Sequence, residues 1–113
     1  MPARDWKFRV EDIRAAVKET LELTQGMDFE AFSNDKRTIK AVLYNLAVIG
    51  EAAQRVPQEI IEKYPFVPWK EMGDMRNVLI HEYFGVDLKI VWETIHHDLL
   101  GLLQSLEDIL SKQ

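Results

Sequence analysis

The sequence predicts an all-α protein, a four- to five-helix up-and-down bundle that forms a single domain over residues 1–113. Apolar residues recur at intervals of three and four almost throughout, which is the period at which a helix presents one face to a core. No stretch of useful length alternates apolar and polar residues as a half-buried strand does. A chain of 113 residues favours one domain, so short connections should join the helices.

Breaks between the apolar runs place the first helices. The first run ends at Gly26, a residue type that commonly follows the last turn of a helix. The cluster at 33–35 can cap a second helix, and Pro57 can end that helix or open a short one. Around Pro65 and Pro68 the chain should leave the helical region, because proline disfavours helical backbone in the residue before it. The first two stripes are formed by Val10, Ile13, Val17, Leu21, Ile39, Val42, Leu43, Leu46, Ile49, Ala53 and Val56.

Two further helices complete the predicted bundle. One runs from Trp69 to Phe84 and stops before Gly85. Asp87 can cap the last helix. The apolar stripe of that helix is Leu88, Val91, Ile95, Leu99, Leu102, Leu106 and Ile109. Trp69, Trp92, Met72 and Met75 are expected in the core or at an interface, and Trp6 and Phe8 could pack a dimer.

Composition excludes several classes of protein. The chain has no cysteine, which rules out disulfides and thiolate metal sites and fits a reducing compartment. No run of about 18 apolar residues exists to span a membrane. Residues 1–6 lack the apolar segment of a signal peptide. We therefore expect a cytoplasmic protein with no membrane contact.

The charge distribution limits how the protein could meet nucleic acid. The net charge is −5, and residues 1–40 are balanced, so the acidic excess lies in residues 41–113. Such a surface does not attract nucleic acid at long range and would suit a basic partner protein. Any action on RNA must depend on a local pocket or on the basic group Lys36, Arg37 and Lys40. The simplest interpretation of this basic group is a solvated helix face.

One segment of the chain combines side chains that can handle a phosphodiester. Arg76, His81 and Tyr83 follow one another with a spacing of Arg, four residues, His, one residue, Tyr. Arginine clamps phosphate oxygens, histidine moves protons near neutral pH, and a tyrosine hydroxyl donates or accepts a hydrogen bond. The chemistry they fit is cleavage of RNA by internal transphosphorylation, with His81 as acid or base, Arg76 stabilising the phosphorane, and Tyr83 as a positioning group. The segment contains no metal cluster, and no cofactor is expected.

Each of these residues also has an ordinary structural interpretation. A histidine near a helix end is most often a surface or capping residue, and a tyrosine on an apolar stripe usually belongs to the core. An arginine on a helix usually pairs with a neighbouring carboxylate, and Glu71, Asp74 and Glu82 could serve Arg76. The joint spacing is therefore more specific than any single residue.

On one straight helix Arg76 and His81 lie about 140° apart and do not converge on one atom. Three arrangements could bring them together: a long flexible arginine, a distorted helix end near Gly85, or a two-fold interface to which each subunit contributes one group. We favour the two-fold interface, because small helical domains often form symmetric dimers.

Several segments of the chain resemble the HepT-like toxins, within the HEPN superfamily of helical ribonucleases. The resemblance rests on the Arg-x4-His-x-Tyr motif and extends in order from about residue 7 to residue 106. The segments that carry it are Ala47–Ala53, Pro68–Met72, Met75–Asn77, Tyr83–Asp87 and Val91–Ile95. It implies a helical homodimer with an active cleft at or near the dimer interface and metal-independent endoribonuclease activity.

The resemblance also implies roles for individual residues. Arg76 and His81 are the implied catalytic pair, and Asn77 is expected to face the cleft. It implies a type VII-like toxin–antitoxin system, in which an MntA-like nucleotidyltransferase antitoxin transfers AMP from ATP to Tyr83. A bulky phosphate beside Arg76 and His81 would occupy the anion site and exclude RNA.

The remaining polar residues leave alternatives open. Glu51 either marks the solvent edge of its helix or, if Gly50 allows close helix approach, pairs with Arg76 or lines the cleft. His96 and His97 point about 100° apart on a helix and cannot both bind one metal. Two other functions remain open: a non-catalytic helical dimer that binds a nucleotidyltransferase or a nucleotide, and a purely structural dimer.

Overall fold

The computed structural model describes residues 4–112, with side chains from Trp6 onward. Residues 1–3 and 113 of the predicted domain, and with them part of the N-terminal segment tested for a signal peptide, lie outside the described range. Within that range the chain is all-α and has no strand, as predicted. The helices are α1 (Arg4–Thr24), α2 (Phe29–Ser33), α3 (Lys36–Gln54), α4 (Gln58–Lys63), α5 (Trp69–His81), α6 (Leu88–His97) and α7 (Leu99–Ser111).

Aspartate side chains begin three of these helices. Asp28 and Asp35 accept hydrogen bonds from the backbone N–H of Ala31 and Thr38, at 2.8 Å and 3.0 Å, and so cap α2 and α3. The Thr38 hydrogen bonds hold the pKa of Asp35 below its usual range. Asp87 caps α6 by accepting from the N–H of Lys89 at 2.9 Å, as the sequence predicts. The predicted cluster at 33–35 therefore acts through Asp35.

The core lies around α3, which packs against α1 on one side and α5 on the other, while α7 packs against α1. Burying each large aliphatic side chain there contributes about 1.5–3 kcal/mol. Trp69 is buried and its indole N–H donates to the Tyr64 carbonyl oxygen at 3.0 Å. Trp92 is partly buried against Phe32, with ring centroids 5.2 Å apart. The largest fully buried side chains are Phe32, Ile13, Leu46, Ile49, Ile95, Leu106 and Ile109.

The motif helix is shorter than the sequence suggests. It ends at His81 instead of Phe84, and a 3₁₀ turn follows at Tyr83–Gly85, closed by a hydrogen bond from the Gly85 N–H to the Glu82 carbonyl oxygen at 2.9 Å. All four residues from 82 to 85 are exposed, so no buried face stabilises a further helical turn. The predicted helix therefore extends three residues too far, and Tyr83 lies in the turn that follows α5.

The last predicted helix is divided at Asp98. Its N–H still donates to the Thr94 carbonyl oxygen, and its own carbonyl oxygen still accepts from Leu102, both at 3.0 Å. Aspartate is a weak helix former, which explains a break at this position. The buried stripe continues across the break from Ile95 to Leu99, so the periodicity does not reveal it.

In the part of the chain that the structure describes, no helix is long and apolar enough to cross a bilayer.

Candidate functional site

The site begins where α3 and α5 come closest, at Gly50. A Cβ atom added to Gly50 would clash with the Cβ of Arg76 and lie 2.6 Å from the carbonyl oxygen of Met72. No side chain fits in that space without moving one of the helices. Gly50 therefore lets α5 lie against the α3 backbone and brings Arg76 next to Glu51.

Glu51 binds two arginines with its two carboxylate oxygens. Oε1 lies 3.1 Å from Nε of Arg76, and Oε2 accepts a hydrogen bond of 2.8 Å from Nε of Arg55. The hydrogen bond from Arg55 is the largest cause of the lowered pKa of Glu51; desolvation opposes it, and the charge of Arg76 lowers the pKa further. Glu51 is consequently ionised at neutral pH and holds Arg76 by charge as well as by geometry. The neighbouring carboxylate Asp74 instead pairs with Lys70 at 2.8 Å.

A second contact orients the guanidinium of Arg76. One terminal nitrogen donates to Oδ1 of Asn77 at 3.2 Å, and the same oxygen accepts from Nε2 of Gln54 at 3.2 Å. Gln54 also donates to the carbonyl oxygen of Gly73 at 2.9 Å, which ties it to α5. Arg76 is thus held at two points, by Glu51 and by Asn77. Because a guanidinium has five N–H donors, Arg76 keeps donors for an incoming anion. The Arg76 side chain as a whole is 31% exposed.

His81 and Tyr83 stand apart from this network. His81 is the last residue of α5 and is exposed, and the described residues give its ring no hydrogen-bond partner. Five residues of helix separate it from Arg76, which corresponds to about 140° around the axis and about 7.5 Å along it. Tyr83 lies in the 3₁₀ turn, 42% exposed, edge to face with the fully exposed ring of Phe84. The helix end near Gly85 is thus distorted, but the distortion moves Tyr83 and leaves His81 on the helix.

Sequence reasoning missed three of the residues around Arg76. Arg55 could have been found, because it follows Glu51 by four residues on one helix, the spacing of a helical ion pair. Gln54 carries no such signal, since its partners lie on α5. Tyr44 was also missed, because an aromatic residue within an apolar helical run is expected in the core, whereas Tyr44 is 70% exposed.

An open pocket of about 300 Å³ lies beside the Arg76–Glu51 pair. It is formed where α1, α3 and α5 meet at the surface. The residues that line it are Arg9, Asp12, Tyr44, Ala47, Val48, Glu51, Ala52, Arg76 and Ile80. The pocket therefore combines an apolar floor with two arginines and two carboxylates.

The other candidate residues lie elsewhere. Nδ1 of His96 is 2.9 Å from the carbonyl oxygen of Trp92, and its ring lies 4.0 Å from that of Trp92, so it is engaged in its own helix. Over residues 6–112, whose side chains the structure describes, no group of three or more histidine and carboxylate side chains is arranged to hold a metal. Lys36, Arg37 and Lys40 are exposed at the start of α3.

The chain is similar to a known protein family and to several of its members. A model of the Ribonuclease HepT-like family matches residues 13–110. A protein of Methanocaldococcus jannaschii, provisionally named an RNase, is 43% identical over 110 residues, which cover 97% of this chain and 95% of that protein. A protein of Thermococcus cleftensis, named a probable ribonuclease HepT, is 40% identical over 106 residues, with coverage of 94% and 96%. A provisionally named RNase of Caldanaerobacter subterraneus subsp. tengcongensis is 43% identical over 93 residues, with coverage of 82% and 83%. No solved structure matches the chain.

Proposed function

The chain belongs to the HepT-like ribonuclease family, and on that premise we propose that it is a metal-independent endoribonuclease whose working residues are Arg76 and His81. The observation that carries the proposal is how the side chain of Arg76 is held. Glu51 and Asn77 hold its guanidinium at the edge of an open pocket, with donors left for a phosphate. A purely structural ion pair would not need an arginine fixed in this way beside a cavity.

The proposed reaction is an internal transphosphorylation. A base removes the proton of the ribose 2′-hydroxyl, and the 2′ oxygen attacks the adjacent phosphorus. The bond from phosphorus to the 5′ oxygen breaks, an acid protonates that oxygen, and the products are a 2′,3′-cyclic phosphate and a 5′-hydroxyl. His81 carries protons in this scheme, because histidine titrates near neutral pH. Arg76 stabilises the charge that develops on the phosphorane oxygens.

We propose that the active cleft is built by a homodimer. On one helix Arg76 and His81 lie about 140° apart, so a second subunit is needed to bring the two groups to one phosphate. A two-fold axis beside α5, level with the midpoint between residues 78 and 79, would set Arg76 of one subunit opposite His81 of the partner subunit. On the helix surface Asn77 and Ile80 lie between Arg76 and His81, at about 100° and 40° from Arg76. Ile80 is 54% exposed, which supports a contact there.

Tyr83 is the proposed site of regulation. We propose that the protein is the toxin of a type VII-like toxin–antitoxin system and acts in the cytoplasm, where an MntA-like nucleotidyltransferase antitoxin modifies it. The Tyr83 hydroxyl would attack the α-phosphorus of ATP, forming a phosphodiester with AMP and releasing pyrophosphate. Tyr83 is exposed in a short turn two residues after His81, so an adenylyl group there would lie near the cleft. Its added negative charge would compete with RNA phosphate for Arg76.

The direct test is RNA cleavage in the presence of EDTA. The intact mass of the purified protein is measured first, to establish that Tyr83 carries no AMP. The wild type and a His81→Ala variant are then incubated with structured RNA. We expect cleavage by the wild type alone, with the variant folded and in the same oligomeric state. If unmodified, dimeric wild type leaves the RNA intact, the ribonuclease proposal fails, and a helical dimer that binds a nucleotidyltransferase or a nucleotide becomes the better account.

A further inference from the structure

We propose that the pocket beside Arg76 binds one nucleobase of single-stranded RNA next to the cleaved phosphate, with the ring of Tyr44 as its stacking surface. This inference rests on the proposed ribonuclease function and specifies how that function would select its substrate. It assigns a binding role to α1 and α3, whereas the motif residues Arg76, His81 and Tyr83 lie on α5 or in the turn after it.

The shape of the pocket suits a flat ligand. Its volume of about 300 Å³ lies at the small end of ligand pockets, which span roughly 300–1,000 Å³. The pocket is open to solvent, and its apolar lining comes from Ile80 of α5 and from the small side chains Ala47, Val48 and Ala52 of α3. A planar base could lie against these small side chains, whereas a bulky side chain at any of the α3 positions would occupy that space.

Tyr44 has the placement that a stacking residue needs. It is 70% exposed, the most of any tyrosine among the described residues, although it lies in the middle of a helix that forms the core. Its ring makes no aromatic contact and its hydroxyl no hydrogen bond with the side chains that the structure describes, those of residues 6–112. Seven residues separate it from Glu51, so both lie on one face of α3, about 10.5 Å apart along the axis, and both line the pocket. Such stacking is tolerant of sequence, because every base has a π face.

The charged residues that line the pocket come from different helices. On α3 and α5, the carboxylate of Glu51 is already bound by Arg55 and Arg76, which offsets its repulsion of a phosphate held by Arg76. From α1 come Arg9 and Asp12, three residues apart on one face. Arg9 can bind the next phosphate of the strand, and Asp12 can accept a hydrogen bond from the exocyclic amine of a base. A base that carries such an amine would therefore bind better than uracil.

The test uses the whole protein and short single-stranded RNAs labelled with fluorescein. Steady-state cleavage is measured for the wild type, Tyr44→Ala and Tyr44→Phe. Phe66→Ala serves as the matched control, because Phe66 is also an exposed aromatic but lines a different groove. We expect Tyr44→Ala to raise KM about tenfold or more with a smaller change in kcat, because stacking contributes binding of that order. Tyr44→Phe and Phe66→Ala should retain the wild-type KM.

A binding measurement separates this inference from the proposed function. Fluorescence anisotropy with oligocytidylate and oligouridylate is measured on His81→Ala protein, with and without Tyr44→Ala, so that cleavage does not interfere. Weaker binding of both RNAs in the double variant, and a preference for oligocytidylate that Asp12→Asn removes, would support the base site. Unchanged binding in the double variant would overturn it, whether or not the wild type cleaves RNA. An altered oligomeric state in Tyr44→Ala would also overturn it, by assigning Tyr44 to a subunit contact.

Discussion

Arg76 lies against the backbone of Gly50, in the space that a side chain at position 50 would occupy. This contact joins the packing of α3 on α5 to the placement of the guanidinium, because Glu51, the next residue of α3, then reaches Nε of Arg76 at 3.1 Å. The fold and the candidate site therefore depend on the same close approach.

Replacing Gly50 by alanine should destabilise the protein and impair the site together. The new Cβ would meet Arg76 and the Met72 carbonyl oxygen, and overpacking of this kind costs about 1–3 kcal/mol. We expect a lower midpoint in urea denaturation and reduced RNA cleavage. Gly101→Ala is the matched control, since a Cβ there meets no atom within 4 Å, and alanine favours the helix. Equal stability of Gly50→Ala and the wild type would contradict the role assigned to Gly50.

Replacing Glu51 by glutamine should lower cleavage without unfolding the protein. The amide keeps the shape of the side chain but loses the charge that holds both Arg55 and Arg76. A misplaced Arg76 would reduce kcat/KM by up to about a hundredfold, the scale of small positioning errors at a reacting centre. Circular dichroism and kinetics on the same preparations check this. Asp74→Asn removes a neighbouring carboxylate that pairs only with Lys70 among the described residues, and it should leave kcat/KM near the wild-type value.

The dependence of cleavage on pH should come from histidine and not from Glu51. The pKa of Glu51 is lowered, so its contribution to the ion pair is fully present above the usual carboxyl pKa and is lost only as pH falls through the lowered value. Over roughly pH 5–8 the pair stays intact, while histidine titrates in that window. Profiles of kcat/KM against pH should bend in this range for both the wild type and Glu51→Gln. A flat wild-type profile would count against His81 as the proton carrier.

Modification by the antitoxin should occur on Tyr83 and silence the enzyme. Incubation with an MntA-like nucleotidyltransferase and ATP should add the mass of one adenylyl group to the wild type and abolish cleavage. Tyr83→Phe should gain no mass, because it retains the ring and lacks only the acceptor hydroxyl, and whatever cleavage it shows should not change when the transferase and ATP are added. Tyr44→Phe, which alters the other strongly exposed tyrosine, should still be modified. Modification of Tyr83→Phe would show that the acceptor lies elsewhere.

The sequence predicts most of the fold, because helical periodicity and caps are local signals. Gly26 with its positive φ of 80°, Asp87 as a cap and the break around Pro65 all follow from single residue types. The end of α5 and the interruption at Asp98 cannot be predicted in this way. The end of α5 depends on the lack of burial around residues 82–85. The interruption at Asp98 lies within a buried apolar stripe that continues on both sides of it. The candidate site divides in the same way. The spacing of Arg76, His81 and Tyr83 is visible in the sequence, whereas the contacts of Gln54 and the position of Tyr44 require the packing of three helices.

Complementation between inactive variants tests the composite cleft most directly. Arg76→Ala and His81→Ala proteins are prepared separately, shown to be inactive, then mixed under conditions that allow subunits to exchange. If each cleft joins Arg76 of one subunit to His81 of its partner, the mixed dimer has one intact cleft, and a mixture of equal amounts should recover about a quarter of the wild-type activity. If the mixture stays inactive although native mass spectrometry shows mixed dimers, both groups act within one subunit and the proposed arrangement is wrong.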